Sequence, residues 1–164
     1  MHIWDTSDVI DPSLSRLAQA LNDLYRLSGS ARFHERTVES TKVNVTRSGL
    51  RFLSLVADVG PISATRLAQA LDLSQPTASR VLQQLEAAGF VSRQAHDSDG
   101  RVSHYVATRK GKRALERVHH YHVSQLTEAL ADVDPQHRAT LAAAVTELVE
   151  RLHRSELPSS RRTA

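Results

Sequence analysis

The sequence predicts a mainly α-helical protein with a small β-hairpin. Three observations carry this prediction: two short helical segments with a tight break between them, a following pair of short alternating strands, and long stretches of helical periodicity on either side. At 164 residues the chain is long enough for one ordinary domain, or for a small domain with helices that pair with a second copy.

The first helix begins at Asp11-Pro12, because Asp is a good N-cap and Pro is well suited to the first helical position. It should run from about residue 12 to 31, with its apolar side formed by Leu14, Leu17, Ala18, Leu21, Leu24 and Ser28. A second helical stretch is predicted near residues 40–58, and it ends at Gly60-Pro61.

Two short helices follow over residues 63–88. Ser63 is placed to cap the first, Asp72 and Leu73 form the turn, and Ser74 is placed to cap the second. The second helix buries Ala78, Val81, Leu82 and Leu85, and Gly89 ends it. Its opposite face is polar without being acidic.

A β-hairpin is predicted next, with strands at residues 90–93 and 102–108 joined by the loop HDSDG. Helical periodicity returns from Arg109, and Asp134-Pro135 starts a last helix. The polar, basic tail should be disordered. We predict four segments: residues 1–38, with the N-terminal helix; 39–108, with the paired short helices and the hairpin; 109–154, with a linker and further helices; and 155–164, the tail.

Composition and charge limit the classes of function. The chain has no cysteine, which excludes disulfides, thiolate metal sites and thiol-based redox sensing. No stretch predicts a signal peptide or a membrane span, so we expect a cytoplasmic protein. Residues 61–117 carry nine basic and five acidic side chains, whereas the rest of the chain sums to −1. This asymmetry favours an anionic partner for the middle segment, with a solvated charged surface as the alternative.

Two helices at a tight turn followed by a β-hairpin are the layout of a winged helix-turn-helix. A helix with a polar outer face fits the major groove of DNA, where base edges present a distinct pattern of donors and acceptors. Arg80 can make two hydrogen bonds to a guanine edge. The predicted DNA-binding residues are Ser74, Gln75, Thr77, Ser79, Arg80, Gln83, Ser98, Asp99 and Arg101.

The segment from residue 67 to 111 resembles the multiple-antibiotic-resistance-regulator (MarR) family of bacterial transcription factors. LEAAGFVSR, residues 85–93, is similar to the family's Leu-Glu-x-x-Gly-Leu-Val-x-Arg. Asp99 and Arg101 match its Asp-x-Arg, and Thr108 and Gly111 match the Thr and Gly that follow. Ala107 stands where the family has Leu.

The resemblance implies a homodimer of interlocked terminal helices, with two winged domains that read DNA half-sites about one helical turn apart. Residues 1–38 would then be an N-terminal dimerisation helix, 39–108 the winged helix-turn-helix DNA-binding domain, and 109–154 a linker and dimerisation helices. The apolar stripes of those helices independently favour dimerisation, with folding back onto the monomer as the alternative. Arg101 would enter an A·T-rich minor groove, and Asp99 would orient an arginine or tie the wing to the helices. The alternative is that residues 99–101 form only a solvated turn.

Several basic and hydroxyl side chains have two open interpretations. Ser74 and Thr77 can donate to phosphates, and Ser74 can act as an N-cap at the same time. Arg93, Arg109, Lys110 and Lys112 are predicted to be DNA-backbone contacts or solvated charges rather than base readers.

The resemblance also implies a small, often aromatic or phenolic effector that releases DNA, so we predict a repressor. The candidate effector-binding residues are Tyr25, Arg26, His34, Arg47 and Arg51. No metal or other cofactor is predicted. His119 and His122, which share a helical face, leave a metal-responsive regulator open as an alternative.

Two other classes of function compete with a sequence-specific regulator. An enzyme would need a nucleophile motif, a phosphate-binding glycine loop or metal-hydrolase spacing, and none is evident. A nonspecific DNA-packaging dimer would need a far more basic surface. We therefore predict a non-enzymatic, sequence-specific DNA-binding protein.

Overall fold

The computed structural model describes residues 11–95 and 103–156, which form seven helices and a three-stranded sheet. The chain divides into two compact units, of which the first ends at Tyr121 and the second begins at His122. The elements are α1 (Pro12–Gly29), α2 (Ala31–Thr41), α3 (Arg47–Val59), β1 (Ile62–Ser63), α4 (Ala64–Ala70), α5 (Gln75–Ala87), β2 (Val91–Ala95), β3 (Ser103–Ala107), α6 (Arg109–Ala129) and α7 (Pro135–Glu156).

Both Asp-Pro pairs start helices as predicted. The carboxylate of Asp11 accepts a hydrogen bond from the Ser13 amide at 2.8 Å, and the Ser13 hydroxyl, which also donates to it, lowers the pKa of Asp11. The carboxylate of Asp134 accepts from the amides of Gln136 and His137, and its contact with the His137 ring lowers the pKa of Asp134. The lowered pKa values keep negative charge at the positive ends of both helix dipoles.

The prediction of one continuous helix over residues 40–58 is wrong. Lys42 has φ +55° and ends α2, and the Thr46 hydroxyl accepts from the Gly49 amide at 3.1 Å to start α3. Between the two helices the chain buries Val43 and Val45 on alternate positions. A further break at Ser30 separates α1 from α2, so the first helix ends at residue 29 rather than 31.

The core of the first unit lies between α3, α4, α5 and the sheet. Its largest fully buried side chains are Phe52, Leu53, Leu67, Leu82, Val43, Val56 and Val91. On α5, Ala78, Leu82 and Leu85 are buried and Val81 is half-buried, which agrees with the inward face predicted for that helix.

The sheet has the strand order β1-β3-β2, and both pairs are antiparallel. Val91 pairs with Ala107 and Ala95 with Ser103, which confirms the hairpin. The sequence analysis did not predict β1. This strand is only two residues long, and Ser63 also serves as the N-cap of α4.

The first turn of α6 packs closely against the connection between α5 and β2. A Cβ atom added to Gly111 would lie 2.1 Å from the carbonyl oxygen of Phe90 and 3.0 Å from Leu53 Cδ1. The Thr108 hydroxyl accepts from the Gly111 amide at 3.0 Å and so caps the helix. Glycine is therefore required at position 111 because the two backbones leave no room for a side chain.

The terminal helices leave their apolar stripes exposed, each within its own unit. On α1 the stripe is 39% to 61% exposed and consists of Leu14, Leu17, Leu21 and Leu24. On α7 it is 45% to 49% exposed and consists of Leu141, Val145, Val149 and Leu152. Within residues 11–95 and 103–156, no helix is both long and apolar enough to cross a membrane.

We expect Gly111→Ala to lower the free energy of unfolding by roughly 1–3 kcal/mol, because the new methyl group would displace backbone. Urea unfolding at fixed protein concentration measures this. Gly29→Ala is the matched control: its Cβ would lie 3.7 Å from Arg47 Nη1, an ordinary contact, and its effect should stay within about 0.5 kcal/mol. Equal stability of the two variants would show that α6 does not approach Phe90 this closely in solution.

Candidate nucleic-acid interface

Helix α5 starts on a cap built from side-chain hydroxyls. Ser74 Oγ accepts from the Thr77 amide at 3.4 Å and lies 2.8 Å from Thr77 Oγ1. Gln75 and Pro76 occupy the first turn and are exposed. The capping role of Ser74 is thus confirmed, and phosphate donation by Ser74 or Thr77 stays a prediction.

The turn between α4 and α5 is as tight as predicted. Asp72 adopts the left-handed conformation with φ +51°. The Leu73 amide donates to the Ala68 carbonyl at 2.9 Å, and the Asp72 amide to the Gln69 carbonyl at 3.3 Å. Because these bonds satisfy the end of α4, the chain reverses within three residues and holds α4 against α5.

Helix α5 has one buried face and one exposed polar face. Ala78, Leu82 and Leu85 are buried in the core. Of the predicted DNA-binding residues on this helix, Gln75, Arg80 and Gln83 are exposed, and Thr77 and Ser79 are half-buried. Arg80 and Gln83 thus lie on the exposed face, with Thr77 and Ser79 at its edges, and the DNA contacts of all five residues stay predictions.

The strands of the wing lie next to α5, but its tip is outside the described residues. Ser98, Asp99 and Arg101 fall in that segment, so their predicted DNA contacts stay predictions. On the strands, Arg93 Nε donates to Ser103 Oγ at 2.5 Å. This bond joins β2 to β3 across the hairpin.

A recess of about 250 Å³ connects the wing strands to the helix-turn-helix. Residues from the starts of α4 and α5 and from β2 and β3 line it: Ser63, Ala64, Thr65, Gln75, Arg93, Ser103 and Tyr105. Gln75 and Arg93, far apart in sequence, thus face the same opening. The sequence analysis did not single out Thr65 or Tyr105, because their place here depends on the pairing of β1 with β3.

The arginine and lysine side chains on α5, on β2 and at the start of α6 form no ion pair with the described residues. Ion pairs in residues 11–95 and 103–156 occur on α1 and on α7 with its cap, and Arg80 and Arg93 take part in none. At the start of α6 a second, open recess is lined by Ala107, Arg109, Lys112, Arg113 and Glu116. This part of the protein therefore presents uncompensated positive charge.

The candidate effector residues lie on three helices. Tyr25 and Arg26 are exposed on α1, and His34 is half-buried on α2. Arg47 and Arg51 are exposed at the start of α3, where the guanidinium of Arg47 lies beside Gly29. None of the five lines the cavity of about 220 Å³ between α3 and α5, which is formed by Asn44, Val45, Thr46, Gly49, Val81, Gln84, Leu85, Ala88 and Phe90.

The described part of the chain contains no group of three or more His, Asp or Glu side chains that could hold a metal ion. His119 and His122 both lie on α6. A metal site built from these two residues would need a ligand from elsewhere, and such a site stays an untested alternative.

Comparisons with known proteins identify the same segment. Residues 45–103 match the model of the MarR family. Over 112 residues the chain is 28% identical to the uncharacterised HTH-type transcriptional regulator YxaD of Bacillus subtilis strain 168, a match that covers 68% of this chain and 76% of YxaD.

Solved structures share the fold. RV1404 from Mycobacterium tuberculosis is similar with a TM-score of 0.69 and 22% identity, covering 93% of this chain and 100% of that one. FabT from Streptococcus pneumoniae, solved in complex with DNA, is similar with a TM-score of 0.58 and 16% identity, covering 88% of this chain and 97% of that one. The winged fold predicted from the sequence is confirmed.

We expect Asp72→Val to destabilise the protein by about 1–2 kcal/mol, because a β-branched residue fits the left-handed conformation poorly. Asp72→Gly should change stability by no more than about 0.5 kcal/mol, since glycine adopts this conformation freely but loses more chain entropy. Thermal unfolding of both variants at the same concentration distinguishes them. A Val variant as stable as the parent would contradict the φ of +51°.

Proposed function

We propose that this chain, whose residues 45–103 match the model of the MarR family, is a transcriptional regulator of that family and acts as a sequence-specific repressor. It binds a pseudo-palindromic operator as a homodimer and leaves it when a small molecule binds. The observation that carries the proposal is the exposed polar face of α5, which is backed by a buried apolar face and bears Arg80, a residue with no ion pair among the described residues.

The helix is suited to reading base edges in the major groove. It is held rigidly by Ala78, Leu82 and Leu85, so its outer side chains are presented from a fixed backbone. Arg80 has the donor geometry for a guanine edge, and Gln83 can donate and accept. Gln75 and Ser79 would contribute phosphate or base contacts near the start of the helix.

The wing supplies the second contact in this proposal. Arg101 would enter the minor groove beside the site that α5 reads, and Ser98 and Asp99 would shape or orient the tip. Arg93, fixed by its bond to Ser103, would lie at the edge of the same surface. FabT, which shares the fold, was solved in complex with DNA, and this supports DNA binding as the function of the fold.

Dimerisation follows from the exposed apolar stripes on α1 and α7. Leucines left about half exposed on a terminal helix cost free energy in water, and burying them against a second copy removes that cost. A two-fold axis would then place two α5 helices on successive major-groove segments.

Effector release is the remaining part of the proposal. Tyr25, Arg26, His34, Arg47 and Arg51 remain the candidate residues, with an aromatic or phenolic ligand as the class they suit. Arg47 lies beside Gly29, at the end of α1 and just before α2. A ligand held there would therefore contact both helices at the point where one ends and the next begins. Cytoplasmic location belongs to the same proposal.

We expect Arg80→Ala to relax sequence preference, with a loss of about 1–3 kcal/mol of discrimination at one base pair of each half-site. Binding sites selected from random DNA with the parent protein, then measured against single-base variants, test this. Arg113→Ala is the control, because a basic side chain on α6 should weaken binding to all sequences equally or leave it unchanged. An unaltered preference in the Arg80 variant would remove α5 as the reading helix.

We expect the parent protein to be a dimer at micromolar concentration and the double variant Leu17→Glu, Leu24→Glu to be largely monomeric, because two charges in the apolar stripe of α1 oppose its burial. Sedimentation equilibrium measures both. Val59→Glu is the control, since Val59 is 57% exposed at the end of α3, outside the stripe. A parent protein that sediments as a monomer would refute the dimer.

A further inference from the structure

The side chain of Lys110 bonds to the protein itself. Its ammonium donates to the carbonyl of Ala88 at 2.7 Å and lies 4.9 Å from the centroid of the Phe90 ring. Ala88 is the C-cap of α5, whereas Lys110 is the second residue of α6. One long side chain therefore connects the end of the DNA-reading helix to the beginning of another helix.

This contact is one of several hydrogen bonds between the end of α5 and the start of α6. We call the residues that make them the α5–α6 junction: Ala88, Gly89, Phe90, Thr108, Lys110 and Gly111. The Thr108 hydroxyl lies 2.7 Å from the Gly89 carbonyl and 3.1 Å from that of Phe90, and the Thr108 amide donates to the Phe90 carbonyl at 3.0 Å. Because a hydroxyl has one proton, its shorter contact with Gly89 is the main bond.

The carbonyls at the end of α5 divide into two sets. Those of Gln84, Leu85 and Glu86 accept from the amides of residues 88–90, within the helix end itself. Those of Ala88, Gly89 and Phe90 accept from Thr108 and Lys110 on the far side of the junction. The second set is what ties α5 to α6, and Lys110 supplies its one charged donor.

A cation at this position is favoured on three grounds. The C-terminal end of a helix carries partial negative charge, a charged donor makes a stronger bond to a carbonyl than a neutral one, and the face of an aromatic ring attracts a cation. Lys110 satisfies all three with one ammonium group. By contrast, Lys112 lies two residues further along the same helix and lines the open basic recess.

We propose that Lys110 is a positioning residue that fixes the orientation of α5 for DNA reading, rather than a phosphate contact. The inference rests on the proposed role of α5. Without the ammonium, the end of α5 would keep its own internal bonds but lose one of its ties to α6. The start of the helix, with Gln75 and Arg80, would then be presented to DNA less uniformly.

The test uses the full-length protein and operator DNA selected from random sequences, with affinity measured over a series of salt concentrations. Lys110→Met should weaken binding about five- to tenfold with an unchanged salt slope, while Lys110→Arg, which keeps charge and donor, should restore binding. In the free Met variant the internal bonds of the Ala88 and Gly89 amides still form but should open more often, so these amide protons should exchange faster with solvent. Lys112→Met is the control of equal charge change, and its amide exchange at these positions should match the parent.

Three results would decide against the proposal. Parent-like binding by Lys110→Met would show that the contact does not matter for DNA. A fall in the salt slope of about 0.9, the same as that of a phosphate-contacting lysine, would make Lys110 a backbone contact. A Lys110→Arg variant as weak as Met would exclude the carbonyl bond as the cause.

Folding and the proposed function are controlled separately. All affinities are compared at a temperature where circular dichroism shows each variant folded, and if Lys110→Met does not fold, Lys110→Gln replaces it with the same readouts. If the parent protein itself selects no sequence, the proposed function fails. If the parent protein selects an operator and both Lys110→Met and Lys110→Gln bind it as tightly as the parent does, only the positioning role of Lys110 is refuted.

Discussion

The winged unit depends on the close approach of α6 to the Phe90 carbonyl. An added Cβ at position 111 would lie 2.1 Å from that oxygen, so the approach tolerates only glycine. Thr108 follows β3 and Phe90 precedes β2, and the bond from the Thr108 amide to Phe90 therefore also closes the base of the hairpin. One backbone contact thus holds the end of α5, the wing and the start of α6 in a common frame.

Helix α5 has one face that packs in the core and one face that is exposed. Its inner face contributes fully buried Ala78 and Leu82 to the core, while Arg80 projects from the outer face with no carboxylate partner among the described residues. Acidic partners are concentrated instead on the terminal helices, which also carry the exposed leucines and valines. Charge and apolar surface are therefore divided between a surface suited to DNA and surfaces suited to a second copy.

The features that depend on neighbouring residues were predictable from the sequence. Asp11, Ser63 and Ser74 start helices where they were expected to, because a cap needs only an oxygen beside the first amides of a helix. The polar face of α5, the hairpin and the family were predicted from spacing and motif in the same way. The roles predicted for the residues at the tip of the wing stay predictions, since those residues lie outside the part of the chain that the structure describes.

The tertiary structure decided what depends on distant partners. The break at Lys42 was missed because apolar spacing continues across it, and burial of Val43 against the core ends the helix. Strand β1 exists because Ile62 meets Tyr105, and Lys110 is engaged because Ala88 lies beside it. The sequence alone thus determined the local elements and the polar face of α5. The folded chain decided which charged side chains face solvent and which contact the protein, since only tertiary packing brings residues distant in sequence together.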